Sequence, residues 1–157
     1  MSRRRFGATE AVILVEVLAL VVYVAMPALR QAGIREQASR AANDIEQVRF
    51  AAKTLHARSG KWPEDGAPGR APESLRALLP ASFTFDRRDY QIDWDHWTLS
   101  DGPELFSKTS EFLAVSAVAS DPRLSHEIVE AVGAKLPHMA LGDRVTFVIS
   151  DPEISTP

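Results

Sequence analysis

Two glutamates stand where a carboxylate is hardest to keep. From Ala11 to Leu29 the chain reads AVILVEVLALVVYVAMPAL, with Glu16 its only charge, and Glu10 lies at its edge. An ionised side chain within a lipid bilayer costs a few kcal/mol or more and persists with a partner or a role. Glu16, the deeper of the two, is expected to face another protein helix. Glu10 has two readings: an assembly contact, or a solvated interfacial charge beside Arg3, Arg4 and Arg5. Five aspartates, Asp86, Asp89, Asp93, Asp95 and Asp101, fall in one short window, and His96 follows Asp95. A hard cation would need several such oxygens on a tight turn, ideally around a glycine. These aspartates mainly alternate outward along a strand pattern, which reads as a solvated face, and His96 reads as a turn residue. Serine, histidine and aspartate all occur, but without a nucleophile elbow, phosphate loop or HExxH pattern. With no cysteine, thiolate metal sites, disulfides and cysteine nucleophiles are excluded. The expectation is a non-enzymatic protein with no catalytic, cofactor-binding or metal-binding residues.

The elements that position these residues follow from hydrophobic pattern. At about 1.5 Å per residue a helix over Ala11 to Leu29 spans roughly 28 Å, close to the hydrocarbon thickness of a bilayer. A secretory signal would have a shorter run and a small-residue cleavage motif, whereas this run passes into further helix-forming sequence. Arg3, Arg4 and Arg5 precede it, and the positive-inside tendency places the N-terminus in the cytoplasm. Pro27 lacks the N–H that would bond the Tyr23 carbonyl, so it is expected to kink the helix without ending it. Beyond the run, Ile34, Ala38, Ala41, Ile45, Val48, Ala52 and Leu55 draw a narrow apolar stripe at alternating steps of four and three. That stripe is expected to pack on the chain's own sheet; the alternative is a coiled-coil seam with a partner. One helix from Ala8 to Ser59, on the order of 75 Å long, accounts for both patterns, with Gly60 and Pro63 as its breakers.

The remainder changes character. Lys61 to Pro72 is rich in Pro and Gly and reads as a loop, followed by a short helix from Pro72 to Leu79. Strands are predicted at Ser82–Asp86, at Tyr90–Trp94 and at Phe112–Ala119. The apolar phase slips at Trp97 and Leu99, which predicts a turn or bulge at Asp95 and His96. Asp121 as N-cap and Pro122 at the first position open a helix that closes at Gly133, and Arg144–Ser150 supplies the last strand.

The composition is that of a folded protein: 157 residues, 45% hydrophobic and 25% charged. The net charge of −3 argues against a general nucleic-acid binder. That charge is unevenly spread, with +3 on Arg3–Arg5, −2 through residues 10–29, +3 over residues 30–60 and −7 over residues 61–157. The expected organisation is a basic leader (1–7), a transmembrane helix (8–29), the outer half of the same helix (30–59) and an α+β domain (60–157).

The run RRRFGATEAVILVEVLALVVYVAMPAL resembles the N-terminus of type IV pilins and of type II secretion pseudopilins. It has a short basic leader, a phenylalanine (Phe6), a glutamate four residues on (Glu10), an unbroken apolar helix and a proline near its outer end (Pro27). VRFAAKTLHARSGKWP and then ESLRALLP are similar to the family's passage from long helix to short helix. The resemblance covers residues 1 to 80. It implies a long helix packed on a four-stranded antiparallel sheet, a bacterial inner-membrane setting with the α+β domain in the periplasm, and assembly through Phe6, Glu10 and Pro27, to which the depth of Glu16 in the apolar run adds a further helix-assembly candidate. Some pseudopilins bind calcium after the sheet begins, the region of Asp86 to Asp101 here. One position departs from the pattern. The family's leader peptidase cuts after a glycine directly before the phenylalanine, and Arg5 stands there.

Two expectations follow. One is an accessory or scaffold subunit of an integral membrane complex, photosynthetic or respiratory for example, that uses the helix as an anchor. The other is a pseudopilin or minor pilin that enters a filament. The implied partners are other membrane-protein helices and the lipid bilayer for the N-terminal segment, and a periplasmic protein surface for the outer domain.

Overall fold

The computed structural model describes residues 7–101, 108–133 and 136–149. Its architecture is α+β: a long N-terminal helix and a four-stranded antiparallel sheet with one further substantial helix. Helix α1 runs from Ala8 to Ser59 and passes through Pro27 without ending. Between Ile34 and Arg35 the chain divides into two compact units. The first holds the apolar part of α1. The second holds the rest of α1 and everything after it.

In the second unit the apolar stripe forms the helix side of a core. Ala38, Ala41, Ile45, Val48 and Ala52 are fully or almost fully buried, joined by Ala51. The sheet side begins with strand β1 (Tyr90–Asp101), which pairs antiparallel with β2 (Lys108–Ala119). β2 in turn pairs with β4 (Arg144–Val148), and β4 with β3 (His138–Leu141), giving the order β1-β2-β4-β3. Alternation places Tyr90, Ile92 and Trp94 on one face, level with Val115, Ala117, Val145 and Phe147, and all are buried. Each large apolar side chain so covered contributes on the order of 1.5–3 kcal/mol. The Tyr90 hydroxyl donates to Asp44 of α1 at 2.6 Å, which fixes this as the face that α1 covers. Helix α3 (Pro122–Val132) adds Leu124, Ile128 and Val132 to the same core, and its Glu127 meets Arg35 of α1 at 3.7 Å. As expected, the Asp121 side chain caps α3 by accepting from the Arg123 N–H at 2.9 Å, and Gly133 closes the helix with φ 71°.

Four expectations on local structure change. β1 is one uninterrupted strand, with Asp95 opposite Ala114, His96 opposite Leu113 and Trp97 opposite Phe112. Hence neither a turn nor a bulge occurs at Asp95 and His96. Trp97 instead sits on the opposite face from Trp94 and stacks on its cross-strand neighbour Phe112, ring centroids 5.4 Å apart. An aromatic pair on the outer face looks, in sequence, like a phase slip. Ser82–Asp86 forms no strand but a single bridge from Asp86 to Gln91. There Thr84 Oγ1 accepts from the Asp86 N–H at 3.2 Å and donates to the Asp86 carbonyl at 3.1 Å, a local alternative to a ladder. The short helix shrinks to α2 (Glu73–Arg76), tied down by buried Leu75. β3 was not expected at all. Its four residues are all exposed and carry no buried apolar alternation. It exists because Gly142, at φ 64°, turns the chain tightly from Leu141 to Arg144.

The free edge of β1 is covered by the chain itself. Gly66 and Gly69 donate to the carbonyls of Trp94 and Ile92, and the Ile92 N–H donates to Phe85, at 2.8–3.1 Å. The Pro/Gly-rich loop therefore completes the sheet by capping an edge that would otherwise invite pairing.

Candidate functional site

Two constellations stand out, one in each unit. In the first, the large apolar side chains from Val12 to Leu29 lie between 45% and 79% exposed. No residue of the window that passes the length and hydropathy test for a membrane span is buried. A largely apolar helix that nothing among the described residues covers is suited to an apolar surrounding. By length and composition α1 is able to cross a membrane. Along one face, Val15, Leu18, Ala19, Val22, Tyr23, Met26, Pro27 and Arg30 line a groove of about 630 Å³.

The second constellation lies on the outer face of the sheet. Asp93 and Asp95 of β1, each 4% exposed, point away from α1 towards a row formed by Ser116 of β2 and Thr146 of β4. Arg144 of β4 reaches across β2 to both. Its Nη2 donates to Asp93 Oδ2 at 2.9 Å and to Asp95 at 2.8 and 3.0 Å. The Ser116 hydroxyl donates to Asp95 and lies 2.8 Å from the Thr146 hydroxyl. Two carboxylates thus share one guanidinium, and buried Asp93 Oδ1 has no hydrogen-bond partner among the described residues. Burial, together with the charge of Asp95, pushes the Asp93 carboxyl above its ordinary range; Arg144 opposes the shift without cancelling it. A smaller network ties α1 to the sheet on the other face. Asp44 accepts from Arg87 at 2.8 and 3.1 Å and from Tyr90, whose phenol is pushed up by burial and then by that bond.

No family model, curated protein or solved structure matches the chain. The residues themselves therefore carry the functional argument.

Of those singled out in the sequence, Glu16 is exposed on α1 within the apolar run, and Pro27 lines the groove. Glu10 lies on α1, but its side chain is outside the described residues, as are Arg3, Arg4, Arg5 and Phe6. The aspartate window divides. Asp86 accepts from Gln91 at 3.0 Å at the exposed edge, and the Asp101 side chain is outside the described residues. Asp93 and Asp95 are not on a solvated face. The expectation fails because Arg144, some fifty residues away, supplies the counter-charge. His96 is not a turn residue but part of β1, its Nδ1 2.8 Å from the Pro63 carbonyl. Among the described residues no three His, Asp or Glu side chains converge as cation ligands. Arg144, Ser116, Asp44 and Arg30 carried no sequence signal of their own.

The shifted Asp93 gives a pH prediction. Its carboxylate is disfavoured in the fold, so the penalty is fully present above the raised pKa. It lifts as pH falls from there towards the ordinary carboxylate range. Asp93→Asn keeps an acceptor for Arg144 and removes the surplus charge. The variant is expected to melt higher than wild type at neutral pH, with the difference shrinking on acidification. A difference in melting midpoint that is constant with pH would refute the assignment.

Proposed function

We propose that the chain is a non-enzymatic structural subunit: a single-pass membrane anchor whose α+β unit is held outside the bilayer and serves assembly of an integral membrane complex. The observation that carries this reading is the exposed apolar helix from Val12 to Leu29, continuous in one element with a helix segment that completes a folded core. In this reading residues 8–29 lie in a bacterial inner membrane, the N-terminus is cytoplasmic and residues 60–157 are periplasmic. The pilin-like arrangement of long helix on antiparallel sheet supports that setting.

A second reading, a pseudopilin-like filament subunit, is favoured by the spacing of Phe6, Glu10 and Pro27. Arg5 in place of the cleavage glycine favours the stationary subunit. A filament must draw its helix out of the bilayer, and three uncleaved arginines would cross with it at several kcal/mol together. Intact mass of the protein isolated from membranes separates the two. A mass lacking residues 1–5, with a methylated Phe6, sinks the stationary reading; stable co-purification with a large pigment- or haem-containing membrane complex sinks the filament. Glu10→Ala is expected to lower stoichiometry in the complex modestly, whereas a filament should lose assembly altogether.

A further inference from the structure

We infer that the groove from Val15 to Arg30 is a binding site for one anionic phospholipid, its phosphate on Arg30 and an acyl chain along Tyr23, Val22 and Ala19. This rests on the membrane reading above and adds a ligand to it. The arginines of α1 are unequal: Arg30, at the boundary of the apolar run, and Arg58, in the last turn, have no carboxylate partner among the described residues. Arg35 meets Glu127, Arg40 meets Glu36, and Arg49 meets Glu46 at 2.7 Å. The Arg30 guanidinium folds back one turn towards the apolar run, with Nη2 3.5 Å from Met26 Sδ. Helical side chains lean towards the N-terminus, which here takes the charge away from Arg35 and Glu36 and places it at the mouth of the groove.

A cation at the boundary of an apolar span, with no counter-ion among the described residues, is complementary to a phosphodiester. Guanidinium suits that group through paired donors in a fixed fork. The groove's reach agrees. From Arg30 back to Ala19 is 11 residues, about 16 Å of helix, and half a hydrocarbon core is about 15 Å. An acyl chain hanging from a phosphate at Arg30 therefore ends near Ala19, where the missing side-chain bulk gives it room. Tyr23 presents its ring beside that chain. A partner helix would instead have to bring a carboxylate to Arg30.

The test uses the full chain reconstituted in vesicles of equimolar phosphatidylcholine and phosphatidylglycerol, then extracted in mild detergent for native mass spectrometry. Wild type is expected to retain phosphatidylglycerol over phosphatidylcholine by about fivefold, the effect of one basic residue at an anionic surface. Arg30→Gln should fall to near parity, Arg30→Lys should keep most of the preference, and Arg35→Gln should leave it unchanged. Ala19→Phe, which fills the groove and leaves the charge, should lower retention of both lipids. Equal preference in Arg30→Gln and wild type overturns the site, as does a second copy of the chain in place of lipid. Alkaline carbonate extraction tells the two failures apart. If wild type is washed out of the vesicles, the membrane reading fails; if it stays embedded without lipid preference, only the site fails.

Discussion

Replacing Arg144 with alanine is expected to lower the unfolding free energy of the sheet-bearing unit by about 3–5 kcal/mol at neutral pH, the usual cost of breaking a buried ion pair from one side. Among the described residues the guanidinium is the one counter-charge for Asp93 and Asp95, whose side chains are each 5% exposed. Without it, two carboxylates lie side by side with Ser116 as the one described side chain that donates to them. Against a typical domain stability of roughly 5–15 kcal/mol that is a large share. The sign with pH is distinctive. Acidification neutralises the stranded carboxylates, so the variant should recover stability as pH falls, where most proteins lose it. Combining Arg144→Met with Asp93→Asn and Asp95→Asn removes the charges together and should restore much of the loss. The measurement is denaturant unfolding of the full chain in detergent, followed by fluorescence of its three tryptophans, Trp62, Trp94 and Trp97, all in the second unit. A loss below about 1 kcal/mol, the level of an exposed pair, would mean that the network is not structural.

That network also shows where reading the sequence stops. The stripe from Ala38 to Ala52 was legible because a helix's neighbours in space are three and four residues away in the chain, and the same holds for the cap at Asp121 and the stop at Gly133. Tyr90, Ile92 and Trp94 were legible as a covered face for the parallel reason of alternation. The opposite face was not. Asp93 and Asp95 alternate as solvent-facing residues would, and only the order β1-β2-β4 brings Arg144 over them. The small side chain of Ser116 leaves space for that crossing. Trp97 misled for a related reason: its partner Phe112 is on the next strand, so its burial face cannot be told from its own neighbours. β3 gave no pattern because nothing covers either face of it deeply. At the N-terminal end the apolar run was plain in the sequence, but the inequality among its flanking arginines was not. Arg40 has Glu36 one turn before it in the sequence, but Arg30 and Arg35 have no such neighbour, and it is Glu127 of α3 that gives Arg35 its carboxylate.

Charging the exposed helix should separate anchoring from folding. Leu20→Arg with Val21→Arg places two arginines near the middle of the apolar run, where each costs about 3 kcal/mol on insertion scales, so about 6 kcal/mol together. That penalty is comparable to the whole preference of a marginal span for the bilayer, and a large fraction of the protein should move from the carbonate-resistant to the carbonate-soluble fraction. Val21→Arg alone should give an intermediate distribution, and Leu20→Ile with Val21→Leu should change nothing. Both residues are more than half exposed and belong to the first unit, so no core contact is lost. The tryptophan-monitored unfolding midpoint of the second unit should therefore stay where it is in the same variants. This pairing gives the experiment its force. A soluble variant with an intact midpoint means that the apolar helix serves only as an anchor, and the α+β unit owes its core to Ala38–Ala52. A doubly charged variant that remains carbonate-resistant means that residues 11–29 do not span the bilayer. A variant whose second unit unfolds along with extraction means that the boundary between Ile34 and Arg35 is not an energetic one.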